Sequence, residues 1–393
     1  MKYVFRKRRY IVLAALLDAF GYFLFRLFGV RKSIQETAPR NILVIRMDHL
    51  GDVLMATSVP KLIKESFPGC RVTFLTSSWA AALLENNPFV DEVMLYDAPW
   101  FSKKRYRKTG KSGSFSKLIR SVREKNFDLA VGLRGDLREN YLMFRAGIKA
   151  RVGYGITGGG FLLTKEIDYN YSAHESERTL DLLRALGARK ASLAPELYFS
   201  QGEDTSLNQK FLELGRSRND KYIGYQIDAG AESKEWPLES AKAFINNVAG
   251  QFPDYKIVLV GSNSEKSRLL RQPSGLPRND TRARSEGKVI DLVGKTTIRD
   301  LCILGRKFSA FVGPDSGPSH IAAALGVKTV FLFSGTNDFE RWKPLSENAF
   351  VLKHPTKCTP CYLDTCNVKG HPCMSEIKPD RVMRVLELAL EGK

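Results

Sequence analysis

The chain has 393 residues, of which 43% are hydrophobic and 10% are aromatic. A chain of this length and composition can bury two cores of about 150–200 residues each, which argues against an intrinsically disordered protein. Its formal net charge of +19 is unevenly placed: residues 1–200 hold 33 Lys and Arg against 19 Asp and Glu, whereas residues 201–393 hold 28 against 23. The first half is therefore expected to meet an anion, and nucleic acid, an anionic membrane surface and a phosphorylated lipid all satisfy that demand.

The N-terminus combines a basic start with an apolar run. Residues 2–9 are basic, and residues 10–30 are largely apolar helix formers interrupted by Asp18 and Arg26. No small-residue cleavage site follows, which argues against a secretory signal peptide. Each of the two charges would cost a membrane-spanning helix about 2.5–3.5 kcal/mol if it were central, so we favour a helix lying on the membrane with its basic flanks on anionic headgroups. A single span and a helix packed on the protein remain alternatives, and residues 1–38 are treated as a separate membrane-associating segment.

From residue 41 the sequence alternates short apolar runs with helix-forming segments, which indicates βαβ units. Strands are predicted at residues 41–46, 71–75, 92–96, 129–132 and 151–153, with a turn at residues 48–52 and a helix that continues to about residue 67. Strands separated by helices pair in parallel, so the first domain, residues 39–215, is expected to be a doubly wound sheet. Residues 101–117 hold seven Lys and Arg among Gly and Ser and predict a basic loop, either functional or merely solvated.

A second unit begins at residues 222–227 and repeats the rhythm, which defines a second domain at residues 216–393. Its further predicted strands are residues 256–260, 289–292, 310–313 and 328–333, and its predicted helices are residues 238–251, 298–306 and 319–325. Residues 266–288 are predicted to form an exposed connection. Two such domains in tandem place a cleft between the carboxyl ends of their sheets, where open α/β folds bind ligands.

The first polar motif is Asp48-x-x-Gly51-Asp52, directly after the first predicted strand. Gly51 permits a tight turn, and Asp52 falls at the start of a helix. A carboxylate there can accept a proton from a sugar hydroxyl. The structural alternative is that Asp48 or Asp52 caps the helix.

Two further motifs follow strands of the second domain. Gly313-Pro-Asp-Ser-Gly-Pro-Ser-His320 presents backbone N–H groups and a helix N-terminus, which favour a diphosphate, with His320 as an additional donor. Lys234-Glu-Trp-Pro237 offers a point charge for a leaving diphosphate, and Pro237 starts a helix. The structural alternatives are a capped turn with a packed histidine, and an exposed lysine beside a packed tryptophan.

Five motifs together resemble the ADP-heptose:lipopolysaccharide heptosyltransferase family, glycosyltransferase family 9. They are Asp48-x-x-Gly51-Asp52, Lys234-x-Trp-Pro237-x-Glu239, Gly294-Lys-Thr296, Asp315-Ser-Gly-Pro-Ser-His320, and Phe333-Ser-Gly-Thr336 followed by Arg341-Trp342. Their order and spacing agree over about residues 40–390, nearly the whole chain.

The resemblance implies a GT-B fold, in which two Rossmann-like domains face a cleft, and an inverting glycosyltransferase that needs no metal for catalysis. It implies a nucleotide-sugar donor, ADP-heptose or a related sugar, on the C-terminal domain. The N-terminal domain would take a phosphorylated lipopolysaccharide core or related glycolipid. The enzyme would then work at the cytoplasmic face of the bacterial inner membrane, held there peripherally or by a single helix.

The resemblance also assigns roles to individual positions. Asp52 matches the general base. The positions that match donor-binding residues are Lys234, Glu265, Thr296, Asp315, Ser316, Gly317 and His320. For the acidic acceptor, our candidates are three side chains of the basic loop, Lys103, Lys104 and Arg105.

Four of the six cysteines lie within sixteen residues, namely Cys358, Cys361, Cys366 and Cys373. Four thiolates in so short a loop suit a structural zinc or iron site. Reduced thiols packed under the C-terminal helix, and disulfides, are the alternatives. A single local cluster favours a reducing compartment over a disulfide framework.

Other functions stay open at this point. A transferase of another nucleotide sugar, or a GT-B-like sugar-nucleotide epimerase, would use the same base and diphosphate site, and the epimerase would need no acceptor. A membrane-anchored nucleic-acid-binding protein would account for the charge and the cysteines. It requires aromatic side chains among the basic residues and leaves the five motifs unexplained, so we predict no nucleic-acid partner.

Overall fold

The computed structural model describes residues 3–5, 7–27, 38–101, 113–189, 193–203, 205, 220–262 and 288–392. The chain divides into two compact units, Met1–Tyr198 and Phe199–Lys393, which we call the N-terminal and C-terminal units. The predicted boundary between residues 215 and 216 lies outside the described residues. The same holds for residues 102–112 of the predicted basic loop and for residues 266–287 of the predicted connection.

The N-terminal unit is built on a parallel sheet. Its strands are β1 (Asn41–Ile45), β2 (Arg71–Thr76), β3 (Glu92–Leu95), β4 (Leu129–Gly132), β5 (Ala150–Gly153) and β6 (Lys165–Glu166). Within the described residues these six strands follow the order β3-β2-β1-β4-β5-β6. The helices are α1 (Arg8–Leu27), α2 (Leu50–Leu54), α3 (Val59–Ser66), α4 (Phe115–Glu124), α5 (Leu137–Arg145) and α6 (Glu175–Arg184).

The C-terminal unit repeats this architecture. Its strands are β7 (Lys221–Gln226), β8 (Tyr255–Val260), β9 (Val289–Asp291), β10 (Phe308–Pro314), β11 (Lys328–Phe333) and β12 (Ala349–Lys353). They form a second parallel sheet, which in the part of the chain described has the order β12-β11-β10-β7-β8-β9. The helices are α7 (Leu238–Gln251), α8 (Ile298–Gly305), α9 (Gly317–Ala324), α10 (Phe339–Trp342), α11 (Pro372–Ser375) and α12 (Pro379–Glu391).

The central strands of both sheets are apolar runs that are buried on both faces. The last four residues of β1 are buried, as are the last five of β11. Parallel sheets covered by helices show this continuous pattern, because each strand is shielded above and below. In the C-terminal unit, Phe244 of α7 and Leu386 of α12 share one core cluster with residues of the sheet such as Val330.

Each sheet has one place where the order of its strands reverses. In the N-terminal unit the strands run outward from β1 to β3, and the chain then returns to place β4 on the other side of β1. In the C-terminal unit the same happens between β7 and β10. Loops that leave two such neighbouring strands diverge to opposite faces and open a crevice at the carboxyl ends. Ligand sites are therefore expected after β1 and β4, and after β7 and β10.

The predicted α/β class and the parallel, doubly wound sheets are confirmed, and each predicted strand lies within two residues of an observed one. Strands β6 and β12 were not predicted. The single helix predicted to continue to residue 67 is wrong, since residues 55–58 separate α2 from α3. The predicted extent of the basic loop is wrong at its C-terminal end, because residues 115–117 form the first turn of α4.

Helix α1 packs along the N-terminal unit through a narrow stripe. Its buried residues are Ala14, Asp18 and Gly21. One carboxylate oxygen of Asp18 accepts a hydrogen bond from the N–H of Gly159 at 2.6 Å, and the other accepts from the hydroxyl of Tyr3 at 3.0 Å. The helix is also long and apolar enough to cross a membrane, with a mean hydropathy of 1.7 over its most apolar window, although core helices of soluble proteins meet the same criterion.

Asp18→Ala is expected to lower the free energy of unfolding by about 1–3 kcal/mol, because the buried N–H of Gly159 loses its acceptor. Urea unfolding of the full chain measures this change. As a control, Asp181→Ala removes a partly exposed carboxylate that pairs with Arg184 on α6, and it should change stability by less than about 0.5 kcal/mol. Equal losses in the two variants would contradict the docking role of Asp18.

Candidate functional site

A buried charge cluster lies at the carboxyl ends of β1 and β4, the first of the two expected positions. Arg46, the residue after β1, is 2% exposed. Its Nε donates to Asp48 Oδ1 (2.8 Å), its Nη2 to Asp52 Oδ1 (2.8 Å) and Glu175 Oε1 (3.0 Å), and its Nη1 to the carbonyl of Leu133 (3.1 Å). Burial alone would lower the pKa of Arg46, but the three carboxylates raise it, so the guanidinium is charged.

Two more arginines complete the cluster. Arg134, just after β4, donates to Asp48 Oδ2 at 2.5 Å, and Arg178 on α6 donates to Glu175 Oε2 at 3.0 Å. Arg46 therefore contacts all three carboxylates of the cluster, and Arg134 and Arg178 contact one each. A buried ion pair is costly unless each charge is matched and hydrogen-bonded, and this cluster meets that condition.

Asp52 is the carboxylate of this cluster that is best placed to act on a substrate. It lies in the first turn of α2 and is 7% exposed. Arg46 holds its Oδ1, whereas in the described part of the chain no hydrogen bond reaches its Oδ2. The alternative of a capping role is wrong for both Asp48 and Asp52, since the N-cap of α2 is His49, whose side chain makes no capping bond.

The two aspartates of the motif differ in proton affinity. Burial, and after it the negative charge of Asp48, raises the pKa of Asp52. Burial alone would also raise the pKa of Asp48, but the guanidinium groups of Arg46 and Arg134 lower it below its usual range. Asp48 is thus the more acidic carboxyl of the pair, and Asp52 holds a proton more readily than Asp48 does.

A second cluster lies at the carboxyl ends of β7 and β10 and is centred on Asp315. Its Oδ2 accepts from Lys234 Nζ at 2.9 Å and from Asn337 Nδ2 at 2.8 Å, and its Oδ1 lies 3.0 Å from His320 Nε2. Lys234 Nζ also donates to the carbonyl of Asp315 at 3.1 Å. Burial alone would raise the pKa of Asp315, but Lys234 and His320 hold it well below its usual range.

The N-terminus of α9 lies directly beside this carboxylate. Ser316 is the N-cap, yet its hydroxyl makes no capping bond and donates instead to Gln226 Oε1 at 2.7 Å. Pro318 has no N–H, and the N–H of His320 donates to the carbonyl of Ser316 at 3.2 Å. In the first turn of α9 this leaves the N–H groups of Gly317 and Ser319, which no capping side chain satisfies. Such N–H groups, at the positive end of a helix, favour an anion.

The other predicted site residues are not joined to these clusters in the described structure. Thr296 precedes α8, and no described hydrogen bond connects it to Lys234 or Asp315. Glu265, and the predicted acceptor residues Lys103, Lys104 and Arg105, lie outside the described residues.

Sequence reasoning missed several members of both clusters. Arg46 could have been predicted from the sequence, because a charged residue directly after a buried strand needs partners of opposite charge. Glu175 and Arg178 carried little signal in the sequence, since an acid and a base three positions apart in a helix usually form a surface pair. Their link to Arg46 spans 129 residues.

The cysteine-containing segment, residues 358–373, braces the turn that carries Lys234. The N–H of Ser233 donates to the carbonyl of Asp364 at 2.9 Å, and the carbonyl of Ser233 accepts from His371 Nε2 at 2.9 Å. Trp236 Nε1 donates to the carbonyl of Ile377 at 2.8 Å. The position of Lys234 therefore depends on the C-terminal segment.

The four thiols do not form a ready metal site. Among the described residues, which include all four cysteines, no group of three or more Cys, His, Asp or Glu side chains is placed to hold a metal ion. Cys358 is exposed whereas Cys373 is buried, and burial, followed by the nearby thiols of Cys366, Cys358 and Cys361, raises the pKa of Cys373. Metal binding therefore stays a prediction from the sequence.

Comparison with known proteins identifies the family. The model of glycosyltransferase family 9 (heptosyltransferase) matches residues 115–371, more than half of the chain. The protein belongs to this family. Lipopolysaccharide heptosyltransferase 2 of Escherichia coli K12 is 27% identical over 367 residues, covering 89% of this chain and 98% of the relative. Lipopolysaccharide core heptosyltransferase OpsX of Haemophilus influenzae is 25% identical over 304 residues, covering 76% and 80%.

The fold of this family 9 glycosyltransferase agrees with a solved relative. The structure of E. coli ADP-heptose LPS heptosyltransferase II matches it with a TM-score of 0.69 at 25% identity, covering 90% of this chain and 99% of the other. The predicted GT-B class and the predicted family are thereby confirmed.

The two clusters give this glycosyltransferase two different chemical capacities. The N-terminal unit offers Asp52 Oδ2 as a proton acceptor. In the C-terminal unit, Asp315 takes two of the three N–H donors of the Lys234 ammonium, and the side chain of Lys234 is 18% exposed. The third donor, together with the uncapped start of α9, is available to an anion.

Asp315→Asn is expected to lower the free energy of unfolding by about 3–5 kcal/mol at pH 7, because it leaves Lys234 without its buried counter-charge. The folded pKa of Asp315 lies below its unfolded value, so its stabilisation is present above about pH 4 and is lost as the pH falls further. Urea unfolding, followed by tryptophan fluorescence, should therefore show a smaller deficit at pH 3 than at pH 7.

The matched control for this measurement is Asp254→Asn, which removes an exposed carboxylate from the same unit. It should stay within about 0.5 kcal/mol of wild type at both pH values. A deficit for Asp315→Asn that did not change with pH would show that the ionised pair adds nothing to stability.

Proposed function

We propose that the protein is an inverting heptosyltransferase that transfers a heptose from ADP-heptose to a lipopolysaccharide core or related glycolipid. The observation that carries the proposal is the environment of Asp52. This residue is a buried carboxylate with a raised pKa and one oxygen fixed by Arg46, and it lies at the carboxyl edge of a sheet in a family 9 chain.

The reaction is a single displacement. Asp52 takes the proton of the acceptor hydroxyl while that oxygen attacks the anomeric carbon of the donor. The bond from the anomeric carbon to the diphosphate oxygen breaks on the opposite face, and ADP leaves with the bonding electrons. Attack from one face and departure from the other inverts the configuration.

The leaving diphosphate is the proposed ligand of the second cluster. The remaining N–H of Lys234 and the N–H groups at the start of α9, at Ser316 and Gly317, would donate to its oxygens as negative charge develops. Asp315 holds Lys234 in place, and His320 holds Asp315. Thr296 and Glu265 are proposed, by the family resemblance, as further donor contacts, with Glu265 at the nucleoside.

The acceptor is the proposed ligand of the N-terminal unit, where most of the net positive charge lies. Lys103, Lys104 and Arg105 are the proposed contacts to its phosphates and acidic sugars. In terms of the predicted domains, residues 39–215 take the acceptor and residues 216–393 take the donor. Relatives named as lipopolysaccharide and lipopolysaccharide core heptosyltransferases support this substrate class.

The proposed reaction needs no metal, since Asp52 supplies the base and Lys234 neutralises the leaving group. Any zinc or iron at Cys358, Cys361, Cys366 and Cys373 would be structural. We propose that the enzyme works at the cytoplasmic face of the inner membrane, where a membrane-bound glycolipid acceptor would be accessible to helix α1 and the basic N-terminal unit.

The deciding measurement is acceptor-dependent ADP release from ADP-heptose with a heptose-deficient core glycolipid, for wild type and for Asp52→Asn. We expect turnover in the wild type and a loss of about 10²–10⁴-fold in kcat for the variant, the range that general-base catalysis supplies. ADP-heptose affinity, measured by calorimetry, should stay unchanged, because the proposed contacts to the donor all lie in the C-terminal unit.

Asp181→Asn, a carboxylate substitution on the outside of α6, serves as the control and should keep wild-type turnover. If the wild type bound ADP-heptose but did not turn it over, the proposed acceptor would be wrong and other acceptors would have to be tested. Release of ADP without any acceptor would favour hydrolysis, and formation of an epimeric ADP-sugar without an acceptor would favour an epimerase. No affinity for any ADP-sugar would overturn the heptose assignment.

The pH dependence of kcat/KM tests the Asp48–Asp52 pair. Because the base must be ionised and its pKa is raised, activity should decline with acid at a pH above that of an ordinary aspartate, about 3.9. Asp48→Asn removes the negative charge that contributes to this rise, so the acid limb should move to lower pH. The control is Asp97→Asn, which removes a buried carboxylate bonded to Ser78 and should leave the acid limb of the kcat/KM profile in place. If Asp48→Asn also left that limb in place, Asp52 would be excluded as the titrating base.

A further inference from the structure

Helix α1 presents a continuous apolar face to solvent. The large hydrophobic residues on that face are between 40% and 66% exposed. They are Val12, Leu13, Leu16, Leu17, Phe20, Phe23 and Leu27. Scattered exposed leucines are ordinary on a protein surface, but a patch of this size on one helix marks an interaction surface.

The opposite face of α1 is fixed to the N-terminal unit by contacts that run from residue 14 to residue 25. In the first half of the helix, Ala14 lies beside Gly158. At its middle, Asp18 accepts from the N–H of Gly159. Near its end, the ring of Phe25 contacts that of Phe161, with 5.4 Å between centroids.

Two further contacts make this docking specific. Gly21 packs so closely on the ring of Phe161 that a side chain there would clash, and the hydroxyl of Tyr22 donates to Glu166. The one acidic residue of the helix, Asp18, is thus turned towards the protein. The outward face carries no acid, and its chemistry is apolar and basic.

Basic side chains stand at both ends of the apolar face. Lys7, Arg8 and Arg9 are exposed before it, and Arg26 is exposed at its end. Arginine and lysine at the edges of an apolar stripe place their charges at the level of lipid headgroups while the apolar side chains enter the acyl region. The electrostatic complement of this pattern is an anionic surface.

We propose that α1 lies in the plane of an anionic lipid bilayer, with its outward face in the headgroup–acyl boundary and its inward face locked to the N-terminal unit. A spanning orientation would require the helix to leave the contacts of Asp18, Gly21 and Phe25, or to draw the unit into hydrocarbon. A second copy of the chain is a poor occupant, because two such faces would bring the basic ends of both helices together. The helix therefore sets the orientation of the unit on the membrane as well as its attachment.

This inference does not depend on which sugar is transferred. It requires only a bilayer, so the first test uses the full chain and vesicles of phosphatidylcholine with 25% phosphatidylglycerol, about one lipid in four. Co-sedimentation should show binding by wild type, weaker binding to pure phosphatidylcholine, and a loss of affinity of at least about 100-fold for the triple variant Leu13→Glu/Leu16→Glu/Phe20→Glu.

The control variant introduces the same three glutamates on the C-terminal unit instead of on α1. Leu345, Val368 and Leu388 of the C-terminal unit are 40–43% exposed, and their triple substitution by Glu should leave vesicle binding at the wild-type level. Equal losses in both triple variants would reduce the effect to net charge and overturn the proposal. Equal binding to neutral and anionic vesicles would overturn the anionic partner.

A second measurement separates the in-plane helix from a span. With an epitope at the N-terminus, inverted inner-membrane vesicles from expressing bacteria should lose both the epitope and the C-terminal unit to added protease, because both lie on one side. Protection of the epitope would show a span. Light scattering without lipid completes the test: a wild-type dimer that becomes monomeric in the α1 triple variant would assign the face to a second copy.

Discussion

A single buried guanidinium organises the N-terminal unit. Arg46 is placed at the end of the central strand β1, where water is excluded, so its charge must be matched within the protein. Asp48, Asp52 and Glu175 supply that match, and Arg134 and Arg178 in turn satisfy the second oxygens of Asp48 and Glu175. The network ties the ends of β1 and β4 to α2 and α6. It also leaves one carboxylate oxygen, Oδ2 of Asp52, without a protein donor among the described residues. This oxygen is the one on which the proposed proton transfer depends.

In the C-terminal unit the signs of the charges are reversed. Its central buried charge is an anion, Asp315, and the groups around it are donors: Lys234, Asn337 and His320. Because Asp315 is surrounded by donors, the ammonium of Lys234 keeps one N–H that Asp315 does not take. In the N-terminal unit, where carboxylates surround Arg46, Asp52 in the same way keeps one oxygen that Arg46 does not take. The same sheet topology thus presents, within the described residues, a carboxylate oxygen that no hydrogen bond reaches in one unit and N–H donors beside a helix N-terminus in the other. Both lie where the strand order reverses, the place at which a parallel sheet opens a crevice.

Much of this could be predicted from sequence, for physical reasons. Buried parallel strands are continuous apolar runs, and polar residues just after them stand out, so Asp52, Lys234, Asp315 and His320 were found. Glu175 was not, because an acid in the first turn of a helix usually needs only the helix dipole to explain it. The break between α2 and α3 and the edge strand β6, two residues long, have no strong local signal. Asp18 interrupts an apolar run in the sequence, and only the fold shows that its partner is a backbone N–H 141 residues away.

The turn that carries Lys234 is held from the far end of the chain. Thr336 contacts Ser233 from before β12, but three further hydrogen bonds of the turn come from residues 364, 371 and 377, and the bond from Trp236 reaches 141 residues ahead. At a ribosomal rate of 5–20 residues per second, those braces emerge about 7–30 s after the turn itself. A nascent or truncated chain that ends after β12 has every described strand of both sheets and none of these braces. Strand content and the geometry of Lys234 are consequently separate properties, acquired at different times in the life of each molecule.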